Sequence, residues 1–230
     1  GTDSPQYFVR VLGKFPPRGG DYQLIPGWLL EETSDAEPEV ERGRHLGLDV
    51  ARSGSDYTVA CVMVDGRVES IRSWRSGDLM DTARRTVRLA TEWQVEAKNV
   101  HVDLDGLGAG VIDRMREEGW GVDSVDFGGG PRSDWNWLIG TDMKILNRRA
   151  ELHWVGRMGL LNGHFGISRE WRTTLWRQLG WTNYEFNEKG MLKMESKDKI
   201  RARHGSSPDH ADAFFLCLSR ANSGARIFVI

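Results

Sequence analysis

From His45 onward the apolar positions fall into short, regularly spaced runs. Leu46, Leu48 and Val50 alternate with Gly47, Asp49 and Ala51. A continuous run from Thr58 to Val64 follows, then an Asp65-Gly66 pair and a third run from Val68 to Trp74. Period-two alternation predicts a strand, and two apolar runs about an Asp-Gly pair predict a hairpin. The pattern then turns helical over 79–96 and 107–118, with strands at 99–104 and 122–127. Three strands in antiparallel succession followed by alternating helices and strands are an α/β arrangement. Beyond Asp142 the pattern is mainly helical. It is broken by a hairpin of Tyr184-Glu185-Phe186 and Met191-Leu192-Lys193-Met194 around Glu188-Lys189-Gly190. The last helix is expected to begin near Pro208, with Ser207 as its cap. Residues 1–44, broken by Pro16-Pro17, Gly19-Gly20 and Pro26, are expected to be a loosely structured linker or arm, and 45–230 the folded domain.

The same alternation places the acids. On the first strand Asp49 points away from the aliphatic face, between small neighbours that leave room for a ligand. On the fourth, Val100, Val102 and Leu104 share one face, while His101 and Asp103 share the other. An acid within an apolar strand is costly unless it is paired or binds a cation. Asp105 sits where an N-cap for the next helix belongs. In Ser207-Pro208-Asp209-His210-Ala211-Asp212-Ala213, Asp209 and Asp212 lie on one helical face, and Asp212 falls among apolar neighbours. Hard divalent cations such as Mg²⁺ or Mn²⁺ take oxygen ligands. Two of them about 4 Å apart clamp the attacking and leaving oxygens of a phosphodiester. Asp49, Asp103 and Asp212 are the candidate ligands for such a pair.

Charge first argues against a nucleic-acid partner, since 31 basic and 33 acidic residues give a net −2. The distribution reverses that inference. Residues 1–140 hold 16 basic and 24 acidic side chains, and 141–230 hold 15 and 9. The asymmetry is compatible with an acidic site facing a basic wall suited to phosphate, so near-neutrality does not exclude DNA. Arg148, Arg149, Lys193, Lys197, Arg201 and Arg203 are candidate DNA contacts in that wall, whereas Trp154, Trp171, Trp176 and Trp181 are expected in the core. Cys61 and Cys217 lie in apolar runs, so neither a disulfide framework nor a cysteine zinc site is expected. No apolar run approaches the roughly 18 residues of a membrane span. No membrane role is expected, and a cytoplasmic setting is the default.

Several stretches resemble, in order, the nuclease domain of the large terminase subunit of tailed bacteriophages. Val9-Arg10-Val11-Leu12-Gly13-Lys14-Phe15-Pro16 resembles the end of that family's preceding region. Gly47-Leu48-Asp49-Val50-Ala51 with Gly54-Ser55-Asp56-Tyr57-Thr58 resembles its first acidic strand and turn, and Val102-Asp103-Leu104-Asp105-Gly106-Leu107-Gly108-Ala109-Gly110-Val111-Ile112-Asp113 its second. Asn147-Arg148-Arg149-Ala150-Glu151-Leu152 resembles a family helix, and Glu195-Ser196-Lys197-Asp198 through Ser207-Pro208-Asp209-His210-Ala211-Asp212-Ala213 the third acidic segment.

The resemblance implies an RNase H-like fold: a central mixed sheet, antiparallel in its first three strands and parallel beyond, flanked by helices, with an added β-hairpin. It implies a metal-dependent endonuclease that cuts concatemeric viral DNA with two Mg²⁺ or Mn²⁺ ions, Asp49 bridging both, Asp212 on one and Asp103 on the other. Asp56, Asp209, His210 and Lys197 become accessory candidates. Implied partners are an ATPase motor domain, a small terminase subunit and a portal, in the host cytoplasm at the procapsid. No G-x-x-x-x-G-K-[ST] occurs in this chain, so it is expected to be an excised domain without ATPase activity. Three other readings remain open at this level. One is a Holliday-junction resolvase with the same chemistry. Another is an actin or sugar-kinase-like ATP-binding protein, suggested by Asp126-Phe127-Gly128-Gly129-Gly130. The third is an inactive module that docks on a portal.

Overall fold

The computed structural model describes residues 22–34, 37–38, 43–51, 57–132, 135–139 and 142–219. The stretch Val9 to Pro16, and Asp56, lie outside the described residues. Strand β1 (Arg44–Asp49) pairs antiparallel with β2 (Thr58–Val64), which turns through Asp65-Gly66 into β3 (Arg67–Trp74). Both turn residues have positive φ, 46° and 84°, the backbone twist that a two-residue hairpin requires. Helix α2 (Leu79–Glu92) leads to β4 (Val100–Asp103), parallel to β1. Helix α3 (Gly108–Glu117) then leads to β5 (Asp123–Val125), parallel to β4. The sheet order is β3-β2-β1-β4-β5; the antiparallel succession follows the pattern, and the parallel strands beyond it are those the resemblance implies.

The alternation read from the sequence divides the core. Leu46, Leu48, Val50, Val100 and Val102 pack beneath α2 and α3. The other face carries Val59, Cys61 and Met63, and is covered by helices from the second half of the chain. These are α5 (Arg148–Leu161) and α8 (Asp209–Cys217). Between them lie a short α4 (Asn136–Ile139), an irregular helical run that ends in α6 (Arg177–Leu179), the hairpin β6 (Tyr184–Phe186) and β7 (Leu192–Met194), and α7 (Lys197–His204). Trp154 and Trp176 are buried in this layer, Trp171 packs against it, and Trp181 stacks on His204 with ring centroids 4.5 Å apart.

One contact fixes the α8 layer. A Cβ built on Gly47 would lie 2.1 Å from the Ala213 carbonyl oxygen and 2.8 Å from the Cys217 nitrogen. The glycine's space is therefore filled by helix backbone, where the sequence suggested room for a ligand. A buried polar chain runs alongside: His45 Nδ1 lies 3.0 Å from His101 Nε2, and His101 Nδ1 lies 3.0 Å from Asp123 Oδ2. Ser219 Oγ donates to that same Asp123 oxygen, and Arg148 donates to the Ser219 carbonyl at 2.6 Å and to Glu151 at 2.5 Å.

Four local expectations are corrected. The described part of the arm, 22–34, is not loose: it forms α1 (Gly27–Thr33), and Leu24, Ile25, Leu29 and Leu30 are buried in the core. Helix α2 ends a turn early, because Gln94 adopts φ 53° and Val95 N returns to the Ala90 carbonyl. Asp105 does not cap α3. Its backbone N–H donates instead to Asp103 Oδ1, and Leu107 occupies the cap position with no side-chain bond. Ser207 does not cap α8 either. Pro208 holds that position, and Gln178 Oε1 accepts from the His210 and Ala211 backbone nitrogens at 2.7 and 3.3 Å.

Candidate active site

Asp49 and Asp103 end neighbouring parallel strands, and the Leu48–Val102 register brings them side by side. Because Gly47 admits α8 onto the same face, Asp212 in the first turn of that helix joins them. All three are buried. Asp49 and Asp103 border a cavity of about 590 Å³ whose wall also includes Asp209, Lys197, Arg149 and Arg201, and Asp212 is tied to that wall by its ion pair with Lys197.

Lys197 sits among the acids, its Nζ 2.8 Å from Asp212 Oδ2 and 3.9 Å from Asp49 Oδ2. Burial works against its charge, but Asp212 and Asp49 outweigh burial and hold the ammonium well above the usual lysine range. Burial likewise opposes ionisation of Asp212, yet Lys197, His153 and Arg149 overcome it and keep that carboxylate well below its ordinary value. Asp49 goes the other way. Burial, with Asp212, Asp103 and Asp209 adding to it, raises it well above the carboxylate range despite Lys197. Asp103 is pushed up to about 6, chiefly by burial. One acid is thus firmly ionised beside two that hold protons readily, the pattern of carboxylates short of positive charge.

The donor set fits a hard divalent cation. Its groups are carboxylate oxygens, and both Asp212 oxygens are buried without a directed hydrogen bond. Among the described residues no three His, Cys, Asp or Glu side chains are drawn to ligand spacing; the lysine ammonium neutralises the acids instead.

Two contributors were missed by sequence reasoning. His153 on α5 places Nε2 3.5 Å from Asp212 Oδ1, and its ring stacks on Phe215 with centroids 3.8 Å apart. Burial pushes it down to about 4, so it is neutral at pH 7. Gln178 fixes the start of the helix that carries Asp212. The available signal for His153 was spacing, since it follows Arg149 by four and shares its helical face.

The other candidates separate. Asp209, Arg149, Lys197 and Arg201 line the cavity. Arg149 does so from below: Nη1 donates to the Glu195 carbonyl at 2.7 Å, while Nε and Nη2 are buried without partners. Arg148 is not a surface cation, because it is buried against Glu151 and Ser219. Arg203 is locked on Glu195 by bonds of 2.5 and 2.7 Å, and Lys193 pairs with Glu185 on the hairpin at 3.1 Å. His210 lies outside the cavity lining, its proton affinity lowered by burial and by Arg177. The basic wall inferred from the sequence is therefore largely spent on internal pairing.

No protein-family model matches the chain, and no curated protein matches it. Solved structures do. The nuclease domain of the large terminase subunit gp2 of bacterial virus Sf6 is 19% identical with a TM-score of 0.72, over 85% of this chain and 97% of that one. The large terminase nuclease of thermophilic phage G20c with bound magnesium is 15% identical, TM-score 0.56, over 81% and 85%. The nuclease domain of Thermus phage P74-26 is 16% identical, TM-score 0.53, over 80% and 82%. The chain has the fold of these domains.

Proposed function

We propose that this chain is the nuclease domain of a viral DNA-packaging terminase, a metal-dependent endonuclease acting on double-stranded DNA. The observation that carries this reading is the placement of Asp49 and Asp103 at one cavity, with Asp212 joined to Asp49 through Lys197, the lysine they share. The fold supports it, and the similar G20c domain was solved with magnesium.

Asp49, Asp103 and Asp212 would hold two ions, Mg²⁺ or Mn²⁺. When bound, such cations neutralise charge on the phosphodiester and make water a better nucleophile. The chain's own groups do the rest. Lys197, His153 and Arg149 together hold Asp212 ionised. With a cation neutralising the acids, Lys197 would be free to meet a phosphate oxygen, and Arg201 would offer a further positive charge at the cavity wall. Concatemeric viral DNA is the proposed substrate. A motor ATPase, a small terminase subunit and a portal are the proposed partners, in the host cytoplasm at the procapsid.

The test is cleavage of supercoiled and linear duplex DNA. Wild type should cut with Mn²⁺ or Mg²⁺ and stop with chelator, while Asp49→Asn, Asp103→Asn and Asp212→Asn should lose at least about a hundredfold in rate with the fold retained by circular dichroism. Full activity in all three variants would sink the assignment, and a strong preference for four-way junctions would move it to a resolvase.

A further inference from the structure

Of the sequence candidates, Arg149, Lys197 and Arg201 remain at the cavity while Arg148, Arg203 and Lys193 are paired within the chain, so any further cation that guides DNA must be sought elsewhere. The end of the sheet that carries Asp49 offers one. The register sets Asp49 against Val59, and Thr58 against Trp74. Tyr57, just before β2, and Arg75, just after β3, therefore lie at the same sheet end as the acids, on the side of Asp49 away from Asp103. Tyr57 lines the cavity and is 43% exposed. The Arg75 guanidinium stacks on its ring, 4.3 Å from the centroid. Arg75 is exposed and, among the described residues, makes no ion pair. Stacking fixes the plane of a guanidinium while leaving its N–H edge open, the arrangement suited to a phosphate. At strand spacings of about 4.8 Å, Arg75 stands roughly 10 Å from Asp49's strand, within reach of a phosphate neighbouring the one at the acids.

We propose that the stacked Tyr57–Arg75 pair is a DNA-backbone contact: Arg75 binds a phosphate next to the one to be cut, and Tyr57 packs against its deoxyribose. The inference rests on the nuclease reading and names where the cut strand is gripped. Both side chains are exposed, so substitutions leave the core untouched.

Binding of a fluorescent duplex is measured by anisotropy in Ca²⁺ over a salt series, with cleavage in Mn²⁺ measured in parallel. Arg75→Ala should weaken binding about tenfold and reduce the slope of log affinity against log salt by about one. Tyr57→Ala should weaken binding severalfold, and Tyr57→Phe should restore most of it, since the ring supplies the stacking. In cleavage, the losses should fall on KM more than on kcat. Wild-type affinity and salt slope in Arg75→Ala, with a wild type that binds and cuts, would overturn this proposal alone. A wild type that neither binds nor cuts would overturn the nuclease reading along with it.

Discussion

On the proposed reading, Asp103 would join burial to metal dependence in one side chain. Its folded pKa of about 6 lies above the ordinary aspartate value, so the folded chain holds the proton more tightly than the unfolded chain. Its contribution to stability is present in full below the unfolded value and is lost as pH rises toward about 6. A cation needs the ionised form and compensates that loss. Mn²⁺ is therefore expected to raise the melting temperature more at about pH 7.5 than at about pH 5, as thermal denaturation would check. Equal shifts at both would remove Asp103 from the proposed metal site. Lys197→Ala strips the acids of their compensating charge. Breaking a fully buried pair costs about 3–5 kcal/mol, but this lysine's side chain is 36% exposed, so about 1–2 kcal/mol is expected in chelator, with most of it recovered when Mn²⁺ is added.

Among the elements, α8 depends on a residue far from it in sequence. Gln178 caps its first turn from α6, so Gln178→Ala should cost about 1 kcal/mol by urea denaturation and lower activity through a displaced Asp212, whereas Gln178→Glu keeps an acceptor and should cost less. This dependence marks the limit of what the chain discloses. The strands and the acids on β1 and β4 were legible because period two assigns each side chain a face, and one face is wholly aliphatic. The α8 cap was not, because Ser207 had the right chemistry but a residue more than 30 positions upstream had the right place. The fate of the cations was not legible either. Whether Arg148 meets solvent or Glu151 is decided by tertiary packing, and charge counts do not record it.

At the scale of the molecule, the polar chain through His101, Asp123, Ser219 and Arg148 joins the sheet to the ends of α5 and α8. Arg148→Met should cost about 3–5 kcal/mol, since Glu151 is left buried without its cation, and should leave duplex affinity and its salt slope unchanged in the molecules that remain folded. Anisotropy and denaturant melts separate the two effects; a fall in salt slope would return Arg148 to the DNA-facing set. The described part of the N-terminal region belongs to the same body, since Leu24, Ile25 and Leu29 share the core with α5.

The meeting of Gly47 with the Ala213 carbonyl has a consequence for how such a site persists. The gap between Asp49 and Asp212 is gauged by helix main chain and by the Leu216 Cβ, an atom that every residue but glycine carries. The outer parts of the helix side chains therefore do not set that distance, and the spacing of the acids stays calibrated as long as position 47 carries no side chain.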